Sequence, residues 1–279
     1  MKPGIYPDLS REEYENIEAI NYSILKHFDK SPAHARHEML HPKKPTPAME
    51  TGQMIHKAIL EPKRFYEDYI QAPLIDRRTK EGKAAWAKFE AENPGKIYLA
   101  ESDWYQFKGM MASCKNNYNA SQLLYGRGRN EVTVVWEDEE TGLLCKARLD
   151  RMTKAFGWSV LVDIKTCMNA QKWAFESAVA KFNYHLQAAF YLDSLNTLSK
   201  SINQRRYILL AIEKDPPFAI QCFELNESSL IEGRDKYRFY LKQYKECLET
   251  DVWPGYPDTI EEIGIPQWAF NTYEEEIYE

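Results

Sequence analysis

The sequence predicts an α/β (α+β) fold, a central sheet of mixed strand direction flanked by helices and preceded by a helical N-terminal region. Three observations predict it. Apolar residues recur at helical spacing through residues 1–125, interrupted by Ser, Asn and Pro. The texture turns β-rich at Asn130. From there the order is three strands, a helical stretch, two strands and a long helix, with hairpins that a doubly wound parallel sheet lacks.

In the N-terminal region, Ser10 with Glu13 fits a capping box, and Asn21 can cap "YSILKHF". "SPAHARHEML" places Pro32 at a first helical position and ends before Pro42. In "METGQMIHKAILEP", Met54, Ile55, Ala58 and Ile59 share a helical face that stops at Pro62. "TKEGKAAWAKFEAEN" and "SDWYQFKGMMASCKNNYNASQLL" read as two longer helices.

In the β-rich part, "EVTVVWED" and "LLCKARLD" form a hairpin across the turn "EETG". After "RMTKAFG" comes a third strand, "WSVLVDIKT". The stretch from Ala170 to Leu198 is helical and breaks near Phe182–Asn183. "RRYILLAIEK" and "FAIQCFEL" are further strands, and "SSLIEGRDKYRFYLKQYKECLET" is a final helix with alternating charge. The expected organisation is one domain over 1–279: a mostly helical part at 1–125, a core with the last helix at 126–257, and an acidic tail at 258–279.

The composition, 44% hydrophobic and 28% charged, suits a globular chain with a sizeable core. No apolar run approaches membrane-spanning length, and "MKPGIYPDLSREEY" lacks the apolar segment of a secretory signal. The five cysteines are scattered, which argues against a zinc knuckle and fits a reducing cytoplasm. Net charge is −6, but seven acids and no Lys or Arg lie between Asp258 and Glu279. The rest of the chain is close to neutral, so basic patches at Arg36–Lys44, Asp76–Lys83 and Gly126–Asn130 remain available to phosphate. Each, taken alone, reads more readily as solvated surface than as a binding site.

"LVDIKT" (Leu161–Thr166) carries the chemistry. Leu161, Asp163 and Lys165 share one face of a strand, and Val162, Ile164 and Thr166 the other. Alone, the triplet Asp163-Ile164-Lys165 reads more readily as a structural ion pair at a strand end. Asp150 changes this reading. It closes the preceding strand, and strands pair about 4.8 Å apart, so two carboxylates can converge. Together they repel unless a cation joins them, and an oxygen-rich site of this kind suits Mg²⁺ or Mn²⁺. Lys165 beside them can hold a water or a phosphate oxygen and stabilise developing negative charge.

"RLD" followed by "LVDIKT" resembles the D…(D/E)-x-K signature of the PD-(D/E)XK nuclease superfamily, and the predicted element order is the one that superfamily implies. "GQMIHKAILEP" resembles the motif histidine of its RecB-like, lambda-exonuclease-related branch, at His56. "QAAFY", with Gln187 and Tyr191 at i and i+4, resembles that branch's Q-x-x-x-Y motif. Runs along nearly the full chain, among them "YSILKHFDKSPAHARHE", "WEDEETGLLCKARLD" and "CLETDVWPGY", are similar to the C-terminal nuclease region of the RecE-like exonucleases (exonuclease VIII).

The resemblance implies a restriction-endonuclease-like core and a Mg²⁺-dependent exonuclease, with Mn²⁺ able to substitute. It implies 5′-to-3′ degradation of linear double-stranded DNA that leaves 3′ tails for recombination by strand annealing. It further implies a homo-oligomeric ring, a RecT-like annealing partner, and phage or prophage origin. Carried over, Asp150, Asp163, His56 and the backbone carbonyl of Ile164 are metal ligands. Lys165 is the catalytic lysine. Glu131 approaches the metal or water, and Gln187 supports the site. Tyr191, Thr166, Arg77, Arg78, Arg127 and Arg129 are the DNA-contact candidates. For Glu131 a charged strand end is an equal reading, and for Tyr191 a core aromatic is. Leu149 stands where the signature has Pro, which supplies no ligand. Iron–sulfur relatives carry clustered cysteines, so no such cluster is expected. A nuclease of other polarity or endonucleolytic habit, or an inactive DNA- or partner-binding relative, is the alternative.

Overall fold

The structure is a computed structural model that describes residues 1–199, 205–267 and 270. Strand β1 (Gly4–Tyr6) leads into α1 (Arg11–Glu15), opened by the Ser10–Glu13 capping box, and α2 (Tyr22–Leu25), capped by Asn21. A 3-10 turn (Lys26–Asp29) precedes α3 (Pro32–Leu40) and α4 (Pro47–Leu60). Then follow α5 (Pro62–Asp68), β2 (Tyr69–Gln71), α6 (Lys80–Glu92), β3 (Ile97–Leu99), α7 (Glu101–Asn116) and α8 (Tyr118–Tyr125). The second half is β4 (Gly128–Glu137), β5 (Leu144–Ala155), β6 (Trp158–Cys167), α9 (Lys172–Lys181), α10 (Tyr184–Leu198), β7 (Arg205–Glu213), β8 (Ile220–Glu224) and α11 (Glu227–Thr250).

Six strands form one sheet in the order β1-β4-β5-β6-β7-β8. Only β6 and β7 run parallel, joined through α9 and α10; every other pair is antiparallel. The expected α/β class with mixed strand direction is therefore the observed one.

Four local expectations are corrected. The mostly helical N-terminal part also holds three short strands the sequence reading did not place: β1 extends the sheet, and β2 pairs with β3 in a small parallel ribbon. Pro62 does end α4, but it also sits at the first turn of α5, where its missing N–H costs nothing. The long helix expected from Ser102 breaks at Asn117, whose side chain accepts from Ala120 N–H and starts α8. Finally, "RMTKA" continues β5, and the turn falls at Phe156–Gly157, both at positive φ. Asp150 thus lies inside a strand instead of closing one. The expected break in the α9–α10 stretch is observed, with Asn183 in the left-handed region.

Alternation along β6 divides the core. Leu161 joins the cluster beneath α10, α11 and α2, with Tyr22, Leu186, Phe190, Tyr237 and Leu241. Val160, Val162 and Ile164 join the opposite cluster beneath α4, α7 and α8, with Ile55, Ile59, Met110 and Leu123. A strand sandwiched this way cannot slip by one residue without burying Lys165 among aliphatic side chains. Of the expected tail, residues 258–267 are exposed and carry no regular element; residues 271–279 lie outside the described residues.

Helix α11 fixes the height of α10. A Cβ on Gly233 would overlap the carbonyl of His185 in the first turn of α10. Gly233→Ala should therefore cost about 1–3 kcal/mol through overpacking and lower the midpoint of a thermal melt by several degrees. An unchanged midpoint would show that the two helices are not in close contact.

Candidate active site

The site forms where β6 leaves β5. Their ladder runs from Ala155↔Trp158 to Arg151↔Val162 and stops, while β6 keeps pairing with β7 as far as Cys167↔Glu213. Beyond Val162 the β5-facing edge of β6 loses its backbone partners, and buried backbone groups need replacements. At Ile164 the replacements are side chains. Its N–H donates to Asp150 Oδ2 at 2.8 Å. Its carbonyl lies 2.6 Å from His56 Nε2, while His56 Nδ1 lies 3.4 Å from Asp150 Oδ2. Helix α4 brings His56 there because Met54, Ile55, Ala58 and Ile59 bury its other face.

On the opposite face of β6, Asp163 is only 2% exposed. Gln187 on α10 bridges the charged pair: its Nε2 donates to Asp163 Oδ1 at 2.9 Å, and its Oε1 accepts from Lys165 Nζ at 3.0 Å. Lys165 Nζ also lies 2.6 Å from Asp163 Oδ2, a charge contact outside hydrogen-bond angles. The ring of Tyr184 sits 4.6 Å from the same ammonium, a cation–π contact.

These contacts set the electrostatics. Burial pushes the Asp150 carboxyl up to about 7; His56 opposes this and Asp163 adds to it. For Lys165, burial acts to lower the pKa, but the carboxylates of Asp163 and Asp150 outweigh it and hold the ammonium firmly charged. One cation thus faces two carboxylates.

A divalent cation fits this arrangement. Asp163 Oδ2 is a buried oxygen that, apart from its charge contact with Lys165, makes no hydrogen bond of ordinary geometry among the described residues. Asp150 is an acid that burial discourages from ionising. With the Ile164 carbonyl they make a small, hard oxygen set, which suits Mg²⁺ because that ion keeps several waters. Among the described residues no three His, Cys, Asp or Glu side chains gather as a metal cluster. The fit therefore rests on two carboxylates and one carbonyl, with His56 at that carbonyl.

The remaining candidates are placed as follows. Glu131 is at φ 54, a rare conformation for a side-chain-bearing residue inside a strand. It lies between the ladder pairs Asn130↔Arg151 and Val132↔Leu149, and its carboxylate pairs with Arg148. Thr166 is half-buried at the end of β6 and faces Gly52 of α4. Tyr191 is buried among Tyr22, Phe190 and Tyr207. Arg77 stacks on Trp86 at 4.2 Å, and Arg78 chelates Asp76. Arg127 and Arg129 are exposed at the start of β4. Sequence reasoning missed Tyr184 and Arg148. Tyr184 had a signal, since it precedes Gln187 by three residues and so shares its helix face.

Residues 21–264 match the family described as a PDDEXK-like domain of unknown function (DUF3799). The chain belongs to this family. A solved structure named "Putative exonuclease", from Eubacterium rectale, is similar over 93% of this chain and 96% of that one, at 14% identity and a TM-score of 0.60. That likeness shows the fold. Another, SSO0001, covers 80% of this chain and 77% of its own at 16% identity, with a TM-score of 0.33 too low to carry an argument. No curated protein matches the sequence. The matched span includes Asp150, Asp163, Ile164 and Lys165, the residues gathered at the β5–β6 opening.

Asp150→Asn keeps an oxygen for the Ile164 N–H and removes a charge that burial disfavours. At mildly alkaline pH the metal-free variant should be more stable than the wild-type protein by on the order of 1 kcal/mol. Added Mg²⁺ should raise the melting temperature of the wild type and not of the variant. A destabilised variant that still responds to Mg²⁺ would contradict the charge assignment.

Proposed function

We propose that this PDDEXK-family protein is a Mg²⁺-dependent deoxyribonuclease that degrades linear double-stranded DNA from its 5′ ends and leaves 3′ single-stranded tails. The carrying observation is the convergence of Asp150, Asp163 and Lys165 around the open peptide of Ile164. The likeness to a structure named as an exonuclease and the RecE-like runs in the sequence support the choice of an exonuclease.

Asp150, Asp163 and the Ile164 carbonyl would hold the cation, with His56 beside them. When bound, it supplies phosphate binding and a water of lowered pKa. The protein's own groups do the rest. Lys165 offers a fixed positive charge to the phosphate oxygen that gains charge in the transition state. Gln187 restrains both Asp163 and Lys165, so neither must reorganise during the reaction. Tyr184 covers the ammonium from one side, which limits competing water. The same resemblance extends the reading to a homo-oligomeric ring on DNA ends, a RecT-like annealing partner, and Mn²⁺ as a substitute metal.

The test offers linear, nicked and closed circular duplexes, labelled at the 5′ ends, with Mg²⁺ or EDTA. Label release from linear duplex, sparing of closed circles and loss of activity in EDTA are expected. Asp163→Ala and Lys165→Ala should each lower the rate at least ~100-fold while remaining folded. Cutting of closed circles would make the enzyme an endonuclease. Release from 3′ ends would reverse the polarity. A folded protein with no Mg²⁺-dependent cleavage would leave only a binding role.

A further inference from the structure

A second lysine is brought toward Lys165 by the N-terminal helices. Lys26 opens the 3-10 turn after α2 and follows Tyr22 by four residues, so the two share a helix face. Its ammonium lies 5.8 Å from the Tyr22 ring. Tyr22 in turn reaches the start of α10, where its hydroxyl donates to the Phe182 carbonyl at 2.6 Å. The Phe182 ring stacks on Tyr184 at 5.6 Å, and the Tyr184 ring covers the Lys165 ammonium. Tyr22 and Tyr184 thus carry Lys26 and Lys165 into one neighbourhood. The charges agree: those of Lys165 and Asp163 both act on the Tyr22 hydroxyl, and that of Lys165 acts on Lys26.

Lys26 is half-buried, yet it makes no ion pair and no hydrogen bond among the described residues. The acids nearest to it in the chain are engaged elsewhere. Asp29 pairs with Lys236 and accepts from Tyr240, and Glu38 pairs with Lys43. Burial lowers the Lys26 pKa and the charge of Lys165 lowers it further, with only Glu38 opposing. An ammonium drawn partly out of water, beside a like charge and without a carboxylate, is costly for a fold to keep. Such a cost is typical of a group reserved for a ligand.

The ligand must be an anion that Lys165 does not satisfy alone. The charge of Lys165 is already shared between Asp163 and Asp150, and those carboxylates repel an approaching phosphate. Lys26 has its whole charge to offer. We infer that Lys26 is a substrate-binding residue whose ammonium takes a non-bridging oxygen of the DNA phosphate next to the one that Lys165 faces. The inference rests on the nuclease reading only in taking that phosphate to be part of DNA. Lysine suits the task as a compact point charge on a flexible stem.

The test is fluorescence anisotropy of a labelled linear duplex with the full chain in EDTA, over a range of salt concentrations. Lys26→Met keeps the aliphatic stem and removes the charge. It should weaken binding several-fold and reduce the slope of log K against log salt by about 0.9, the share of one phosphate contact. Lys26→Arg should keep the wild-type slope. The thermal midpoint of Lys26→Met should equal or exceed that of the wild type, because the variant is freed of a like-charge contact. A lower midpoint would make Lys26 a structural residue and overturn the inference. Wild-type affinity and slope in Lys26→Met, or no duplex binding by the wild type, would overturn it as well. If the wild type binds duplex through Lys26 yet cleaves none with Mg²⁺, the phosphate contact stands and the nuclease reading falls. Mg²⁺-dependent cleavage with KM unchanged in Lys26→Met would sink the contact and leave the nuclease reading standing.

Discussion

Where β6 parts from β5, the peptide of Ile164 carries a donor and an acceptor that no neighbouring strand satisfies. A buried backbone group left in that state costs on the order of 1–3 kcal/mol. The fold answers with side chains, a carboxylate from β5 for the N–H and an imidazole from α4 for the carbonyl. This requirement positions Asp150 and His56, and the strand's alternation then places Asp163 and Lys165 opposite them. The open peptide is what turns a structural necessity into a polar cleft lined with oxygen.

The two faces of β6 divide the work. Val162 and Ile164 anchor the strand in the cluster under α4, α7 and α8. The other face presents its charges to α10, where Gln187 grips both of them. Gln187 and Tyr184 are held in turn by the contact between Gly233 and the first turn of α10. Precision at Lys165 is therefore inherited from helix packing, while the charge balance is incomplete: two carboxylates share one ammonium, and Asp163 Oδ2 touches that ammonium only outside ordinary hydrogen-bond geometry. Such a site is less stable than a neutral one and more ready to take a cation.

Much of this was legible in the sequence because it follows from local periodicity. The alternation in "LVDIKT", the capping box at Ser10, the Asn21 cap and the break at Asn183 depend on near neighbours, and the structure agrees with each. Gln187, expected from a motif only to support the site, bonds both Asp163 and Lys165. What the sequence hid was non-local or set by strand length. β1, β2 and β3 are three residues each, too short for alternation to register. The extension of β5 through Ala155 was masked by its polar residues, Arg151, Thr153 and Lys154. Two of these, Arg151 and Thr153, are buried and hydrogen-bonded to the loop at Gly126–Arg127. The strained backbone at Glu131 and the role of Ile164 as a peptide without a strand partner appear only once β5 and β6 are seen to separate.

On the proposed reading, Ile164, Asp150 and Asp163 together form a seat for a divalent cation. The most direct measurement is a crystal structure of the protein soaked in Mn²⁺, with the ion located by anomalous scattering. A single strong peak, or a closely spaced pair, is expected in contact with the carboxylates of Asp150 and Asp163 and the carbonyl of Ile164. A peak elsewhere, or none while His56 still bonds the Ile164 carbonyl, would contradict it.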